Sequence, residues 1–369
     1  MSRPELAPIS LKYLIRALIK YQASDLHIRI GRPPLFRIHG KLLLSKMSEL
    51  TQSLVEAMFF ELLTESQRKV LETNRQVDFS FEMGDSGRFR CNLYYQKGLL
   101  SAAIRMIPFI IPAFDTLGIP ASLKDLCHRP RGLVLITGST GSGKSTTLAA
   151  LMQYINETYP FHILTVEDPI EFIYKDKKAL VTQREVGSDA ISLTDALIGG
   201  LRQDPDIIMI GELRDTETIQ AALTAAETGH LVFSTLHTND AKSTIERILD
   251  VFEASARNQV RIQLASSLLG VISQQLVMKA DRTGRVPACE VMIKSPVIES
   301  YILKNEMDRI AEAIATSTSY YNMQTMNQAL HALVNAGTIT IEEALKSSNS
   351  PDDLKLIVAG LSREQGYLP

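Results

Sequence analysis

The sequence predicts an α/β protein in two parts. A small α+β domain is expected over residues 1–107, and a larger domain over 121–369 with a buried, mostly parallel sheet. From Gly132 onward, near-continuous apolar runs alternate with helix-compatible stretches, the pattern of strands covered on both faces. Before residue 107, apolar and polar residues alternate instead, as in strands with one wet face. Between the two lies a stretch from Pro108 to Pro120, with three prolines and one glycine, that reads as a linker over 108–120.

In the first part, Ser10 can cap a helix whose apolar residues Leu11, Leu14, Ile15, Leu18 and Ile19 share one face. Leu26, Ile28 and Ile30 predict a strand, Pro33 and Pro34 a break, and Leu35 to His39 a second strand ending at the Gly40 turn. Another helix is expected around Leu54 to Leu63. Strands over Val77 to Phe81 and Arg88 to Tyr95 flank the turn residues Gly84 to Gly87, and a last strand covers about Leu99 to Ile107. Arg88 and Arg90 alternate with Phe89, Cys91 and Leu93, so both arginines share a strand face, with Arg105 on the next strand. Such arginines either solvate a sheet surface or present forked cations to a phosphate group.

In the second part, strands are expected at Leu133 to Thr137, His162 to Glu167, Ile207 to Ile210 and Leu231 to Thr235. After about residue 255 the chain reads as largely helical. Val260, Leu264, Leu268 and Val271 stand at helical spacing, and a last helical stretch is expected near Met323 to Asn335.

The 369 residues are 45% hydrophobic and 22% charged, the composition of an ordinary globular protein that buries a core. A formal charge of -2, with no Lys/Arg run, gives nucleic acid no electrostatic foothold, and no nucleic-acid partner is expected. Cys91, Cys127 and Cys289 lack Cys-x-x-Cys spacing, which fits a reducing compartment. Lys12 and Arg16 interrupt the first apolar stretch, and no segment reaches the roughly 18 apolar residues of a spanning helix. A soluble protein is therefore expected, touching membranes only through partners.

The strongest chemical signal is the run Gly138, Ser139, Thr140, Gly141, Ser142, Gly143, Lys144, Ser145. It is a complete Gly-x-x-x-x-Gly-Lys-Ser/Thr match between a predicted strand and a predicted helix beginning at Thr146. Its glycines let backbone N–H groups converge on phosphate oxygens, Lys144 can reach the β and γ phosphates, and Ser145 can ligate Mg²⁺. Hydrolysis also needs a carboxylate at the end of a neighbouring buried strand. Ile207 to Ile210 followed by Gly211 and Glu212 supplies one, and the cluster Glu167, Asp168, Pro169, Ile170, Glu171 supplies a second. His230 and His237 bracket the fourth strand without metal-pair spacing. His237 is placed either to sense the γ phosphate or to serve structure alone.

The motifs GSTGSGKSTT, VEDPIEF, RQDPDIIMIGELRD and ETGHLVFSTLHTND occur in this order, with ASDLHIRIGRPPLFRIHG and GRFRCNLYYQ ahead of them. The chain thereby resembles the secretion-type ATPases of type IV pili, specifically the PilT-like retraction class. The resemblance implies a PAS-like N-terminal domain and a RecA-like ATPase domain assembled as a homohexamer. It also implies ATP with Mg²⁺, a Walker A motif at Lys144 and Ser145, an acidic box at Glu167 and Glu171, a Walker B residue Glu212, and a histidine box at His230 and His237. By the same resemblance, Arg90 and Arg105, with Arg88 beside them, close on the nucleotide. Pilus retraction and twitching motility are the implied function, at the inner face of the inner membrane with a pilus platform protein, and other pilus motors as further partners. The implied AIRNLIRE-like helix is replaced by Val297 to Lys304. That departure keeps open an accessory paralogue acting as a nucleotide-gated scaffold beside another motor.

Overall fold

A computed structural model describes residues 9–38, 40–84, 87–107 and 110–360. The chain divides into two compact units between Phe109 and Ile110. His39, Asp85, Ser86, Pro108 and Phe109, which the expected strand end, turn and linker include, lie outside the described residues.

The first unit begins with α1 (Leu11–Lys20), whose cap Ser10 accepts the Tyr13 N–H at 3.2 Å. Leu14, Ile15 and Leu18 are wholly buried, while Ile19 sits at the rim of that face. The strands are β1 (Asp25–Arg29), β2 (Leu35–Ile38), β3 (Lys41–Leu44), β4 (Gln76–Glu82), β5 (Arg88–Gln96) and β6 (Leu99–Met106), with α2 (Gln52–Phe60) and α3 (Glu65–Asn74) between β3 and β4. They form one antiparallel sheet in the order β3-β2-β1-β6-β5-β4. Two elements were not expected. All four residues of β3 are exposed, so its Lys-Leu-Leu-Leu shows no alternation, and α3 buries only Leu71, so it has no apolar stripe.

The second unit contains β7 (Gly132–Thr137), α4 (Lys144–Thr158), β8 (His162–Glu167), β9 (Leu180–Glu185), α5 (Leu193–Gly200), β10 (Ile207–Ile210), α6 (Thr216–Glu227), β11 (Leu231–Leu236), α7 (Ala241–Asp250), α8 (Ala254–Ser267), β12 (Leu268–Met278) and β13 (Arg285–Ile293). Its sheet runs β13-β12-β7-β11-β10-β8-β9, parallel except for the antiparallel pair β12–β13. Every residue of β7, β10 and β11 is buried, because alternate side chains serve two cores. Leu133, Leu135, Ile208, Ile210 and Val232 pack with α6, α7 and α8. Val134, Ile136, Ile207, Met209 and Phe233 pack with α4 on the other face. Residues 110–120 contribute Phe114 and Ile119 to this second core.

After residue 255 the chain is helical except for a β-hairpin over 268–293. Helix α8 stops at Ser267, and Leu268 and Val271 belong to β12, which pairs with β7 and β13. Apolar residues spaced three or four apart fit a helix face and a doubly buried strand equally well. Beyond β13 the chain is helical: α9 (Pro296–Lys304), α10 (Ile310–Thr316), α11 (Thr318–Tyr321), α12 (Met326–Asn335), α13 (Ile341–Ser347) and α14 (Pro351–Val358). The last two extend past the final helix read from the sequence. They are short, and each buries few side chains.

Candidate functional site

Register decides which residues meet. Thr137 pairs with Leu236, Ile210 with Ser234, and Ile210 with Val166. The parallel strands β7, β11, β10 and β8 therefore end at one sheet edge, delivering Gly138, His237, Gly211 with Glu212, and Glu167 to the same place. There Glu167, Gly211, Glu212 and His237 line a cavity of about 640 Å³, together with Thr140, Gly141, Gly143 to Thr146, Asp168 and Glu171.

The loop after β7 needs glycine where it passes neighbours closely. A Cβ on Gly138, at φ +142°, would lie 2.3 Å from the Gln274 carbonyl oxygen, and one on Gly143, at φ +91°, 2.7 Å from Gln274 Nε2. Gly143 also precedes the first residue of α4, so the positive end of that helix faces the cavity. Lys144 is buried at the first helical position, where its ammonium donates to the carbonyls of Gly138 at 2.8 Å and Ser139 at 3.0 Å. Burial lowers its pKa, against which the charges of Glu212 and Glu171 act. Ser142 lies behind the loop, with its carbonyl turned to Gln274.

Lys144, His237 and Glu212 form one line. Lys144 Nζ is 3.4 Å from His237 Nδ1, and His237 Nε2 is 3.3 Å from Glu212 Oε1. A neutral imidazole with its proton on Nε2 satisfies both contacts, accepting from the ammonium and donating to the carboxylate. Arg214 Nε donates to the other Glu212 oxygen at 2.9 Å.

Glu167 differs in kind. It is almost fully buried, and burial pushes its carboxyl up to about 7, assisted by the charge of Glu171. Hydrogen bonds from Thr165 Oγ1, the Glu171 N–H and Gln183 Nε2 act the other way. With the folded value above the unfolded one, stability is fully present below the unfolded carboxylate range and is lost as pH rises through about 7. Glu167→Gln is thus expected to gain about 2 kcal/mol relative to wild type on going from pH 5 to pH 8. Denaturant unfolding of the nucleotide-free protein at the two pH values checks this; equal differences at both would refute it.

The structure does not bring His230 to this edge. It precedes β11, its Nδ1 lies 3.1 Å from the Ala225 carbonyl oxygen, and its own carbonyl accepts the Gly132 N–H. Six strand residues, on the order of 20 Å, separate it from His237.

Three residues of the cavity region come from the β12–β13 hairpin, which the helical reading concealed: Gln274, Leu276 and Arg285. The signal was present as Asp281, Arg282, Thr283 and Gly284, a turn sequence between two apolar runs.

Within the first unit, Arg90 and Arg105 are directly opposed on β5 and β6. Arg105 Nε donates to Asp25 Oδ1 at 2.8 Å, Arg90 Nη2 lies 3.8 Å from Asp78 Oδ1, and Arg88 Nη1 lies 3.5 Å from Glu82 Oε1. Burial works to raise the Asp25 pKa, but the Ser24 hydroxyl and the Arg105 guanidinium hold it below the usual carboxylate range. With Nε held there, the guanidinium of Arg105 remains largely exposed.

A parallel sheet with a phosphate loop, and acids from adjoining strand ends facing it, defines a RecA-like P-loop ATPase. The chain belongs to the family described as type II/IV secretion system protein, whose profile matches residues 5–360. It is 46% identical over 334 residues to the type IV pilus retractation ATPase PilT of Pseudomonas aeruginosa, covering 90% of this chain and 96% of that protein. To a twitching motility protein of Neisseria gonorrhoeae it is 44% identical over 321 residues, covering 87% and 86%. The solved structure of the pilus retraction motor PilT with bound ADP superposes with a TM-score of 0.88 at 46% identity, covering 94% of this chain and 99% of that one.

Proposed function

We propose that this protein is a homohexameric motor that hydrolyses ATP to ADP and phosphate and so powers type IV pilus retraction. The line Lys144–His237–Glu212 inside the cavity carries this reading, because it couples the phosphate-binding cation to the acid at the neighbouring strand end. The whole-length similarity to a retraction motor supports the direction of movement.

The triphosphate lies on the backbone of residues 139–146, with Lys144 at its β and γ oxygens. Among the described residues no three or more His, Cys, Asp or Glu side chains are grouped to hold a metal. That suits Mg²⁺, which takes one or two protein ligands beside phosphates and water; Ser145 and Glu212 are the residues that would hold it. When bound, it neutralises charge on the β and γ phosphates. Glu212 orients the attacking water, with Glu167 and Glu171 polarising it. Arg90 and Arg105, assisted by Arg88, close on the bound nucleotide, and release reopens the site. No helix among the described residues is long and apolar enough to cross a membrane. The ring works in the cytoplasm, against a platform protein at the inner face of the inner membrane and alongside other pilus motors.

Deleting the gene is expected to leave hyper-extended pili and abolish twitching, and Lys144→Ala is expected not to restore it; normal twitching in the deletion strain would refute the proposal. His237→Ala is expected to lower kcat about tenfold or more while changing ADP affinity less than threefold, since His237 reaches Lys144 and Glu212 rather than the loop backbone. Steady-state kinetics and calorimetry read the two effects separately.

The departure at Val297 to Lys304 leaves an accessory paralogue as the second reading, against the whole-length similarity to a retraction motor. Absence of turnover by the purified ring without partners would select it.

A further inference from the structure

We propose that Gln274, on β12, is a positioning residue that sets the phosphate loop for nucleotide binding. This rests on the reading of the cavity as a nucleotide site. Gln274 is buried at 3% exposure, on a strand that contributes no residue to the loop itself. Its Nε2 donates to the Ser142 carbonyl at 2.7 Å, and its Oε1 accepts from Thr147 Oγ1, in the first turns of α4, at 2.8 Å. Its backbone carbonyl is the atom that Gly138 must approach, and its amide the one that Gly143 must approach. One residue therefore touches the loop at its start, near its end and in the helix that follows.

The consequence follows from peptide geometry. In a trans peptide the C=O and the next N–H point in opposite directions. With the Ser142 carbonyl drawn toward β12, the Gly143 N–H is directed away from β12, and Gly143 lines the cavity. Without the amide, that peptide is free to rotate and present a carbonyl oxygen, which repels phosphate. Thr147 fixes which way the Gln274 amide is turned, because its hydroxyl donates to Oε1 and leaves the NH₂ group for Ser142.

Gln274→Met preserves volume but removes both hydrogen bonds. It is expected to raise the ADP Kd and the KM for ATP about fivefold to tenfold. The kcat should stay within about twofold, because the loop grips the phosphates alike in the ground and transition states. Thr147→Val is expected to raise the same constants about twofold to threefold, and the double variant no more than Gln274→Met alone. Calorimetry with ADP and steady-state ATP hydrolysis on the full chain measure these, with circular dichroism to establish folding. A folded Gln274→Met protein with unchanged Kd and KM overturns the inference. Should that variant fail to fold, Thr147→Val decides: unchanged ADP affinity there overturns it, a raised Kd supports it. Lys144→Ala separates the two levels. If it keeps wild-type ADP affinity, the nucleotide reading itself fails; if it loses ADP while Gln274→Met binds normally, only the role of Gln274 falls.

Discussion

Lys144→Ala is expected to weaken ADP binding by roughly 10- to 150-fold, the value of about 1.5–3 kcal/mol for a hydrogen bond to a charged group, and to reduce ATP turnover to background. Its ammonium is held by two backbone carbonyls and faces His237. Phosphate oxygens offer the buried cation a better partner, since burial disfavours its charge until an anion arrives. Removing the side chain deletes that exchange and breaks the line to Glu212. Isothermal calorimetry with ADP gives the affinity, and phosphate release gives the turnover. Retention of wild-type affinity would remove the basis for placing the triphosphate on this loop.

Glu212→Gln should separate binding from chemistry. The amide keeps the size of the side chain but has one oxygen acceptor, so it keeps only one of the hydrogen bonds donated by His237 and Arg214; neither contact is with the loop backbone, so ATP affinity is expected to stay within about threefold of wild type. Turnover is expected to fall about 10²-fold to 10³-fold, the range for losing a group that orients or deprotonates an attacking nucleophile. The variant therefore traps bound ATP, which rapid filtration of labelled nucleotide detects. Unchanged turnover would take Glu212 out of the mechanism and shift attention to Glu167, whose raised pKa suits a proton acceptor near neutral pH.

Much of this was legible from the chain alone. Strands β7, β8, β10 and β11 were readable because parallel strands covered on both faces leave near-continuous apolar runs. The phosphate loop was readable because its function requires specific residues at fixed spacing. Glu212 stood out as an acid directly after such a run. Helix α1 announced both its cap and its face.

What stayed hidden depends on contacts distant in sequence. The β12–β13 hairpin looked helical because a strand covered on both faces carries no alternation, so Gln274 could not be placed behind a loop 132 residues away. His230 and His237 are equivalent in a sequence motif. Only the direction of β11 puts one at the phosphate edge and the other at the far end. The sequence by itself determined which residues can bind phosphate and which can act as acids, since that is a matter of side-chain chemistry and local spacing. The tertiary structure alone decided which of them meet, because register and strand direction are properties of pairing between segments, and no local stretch encodes them.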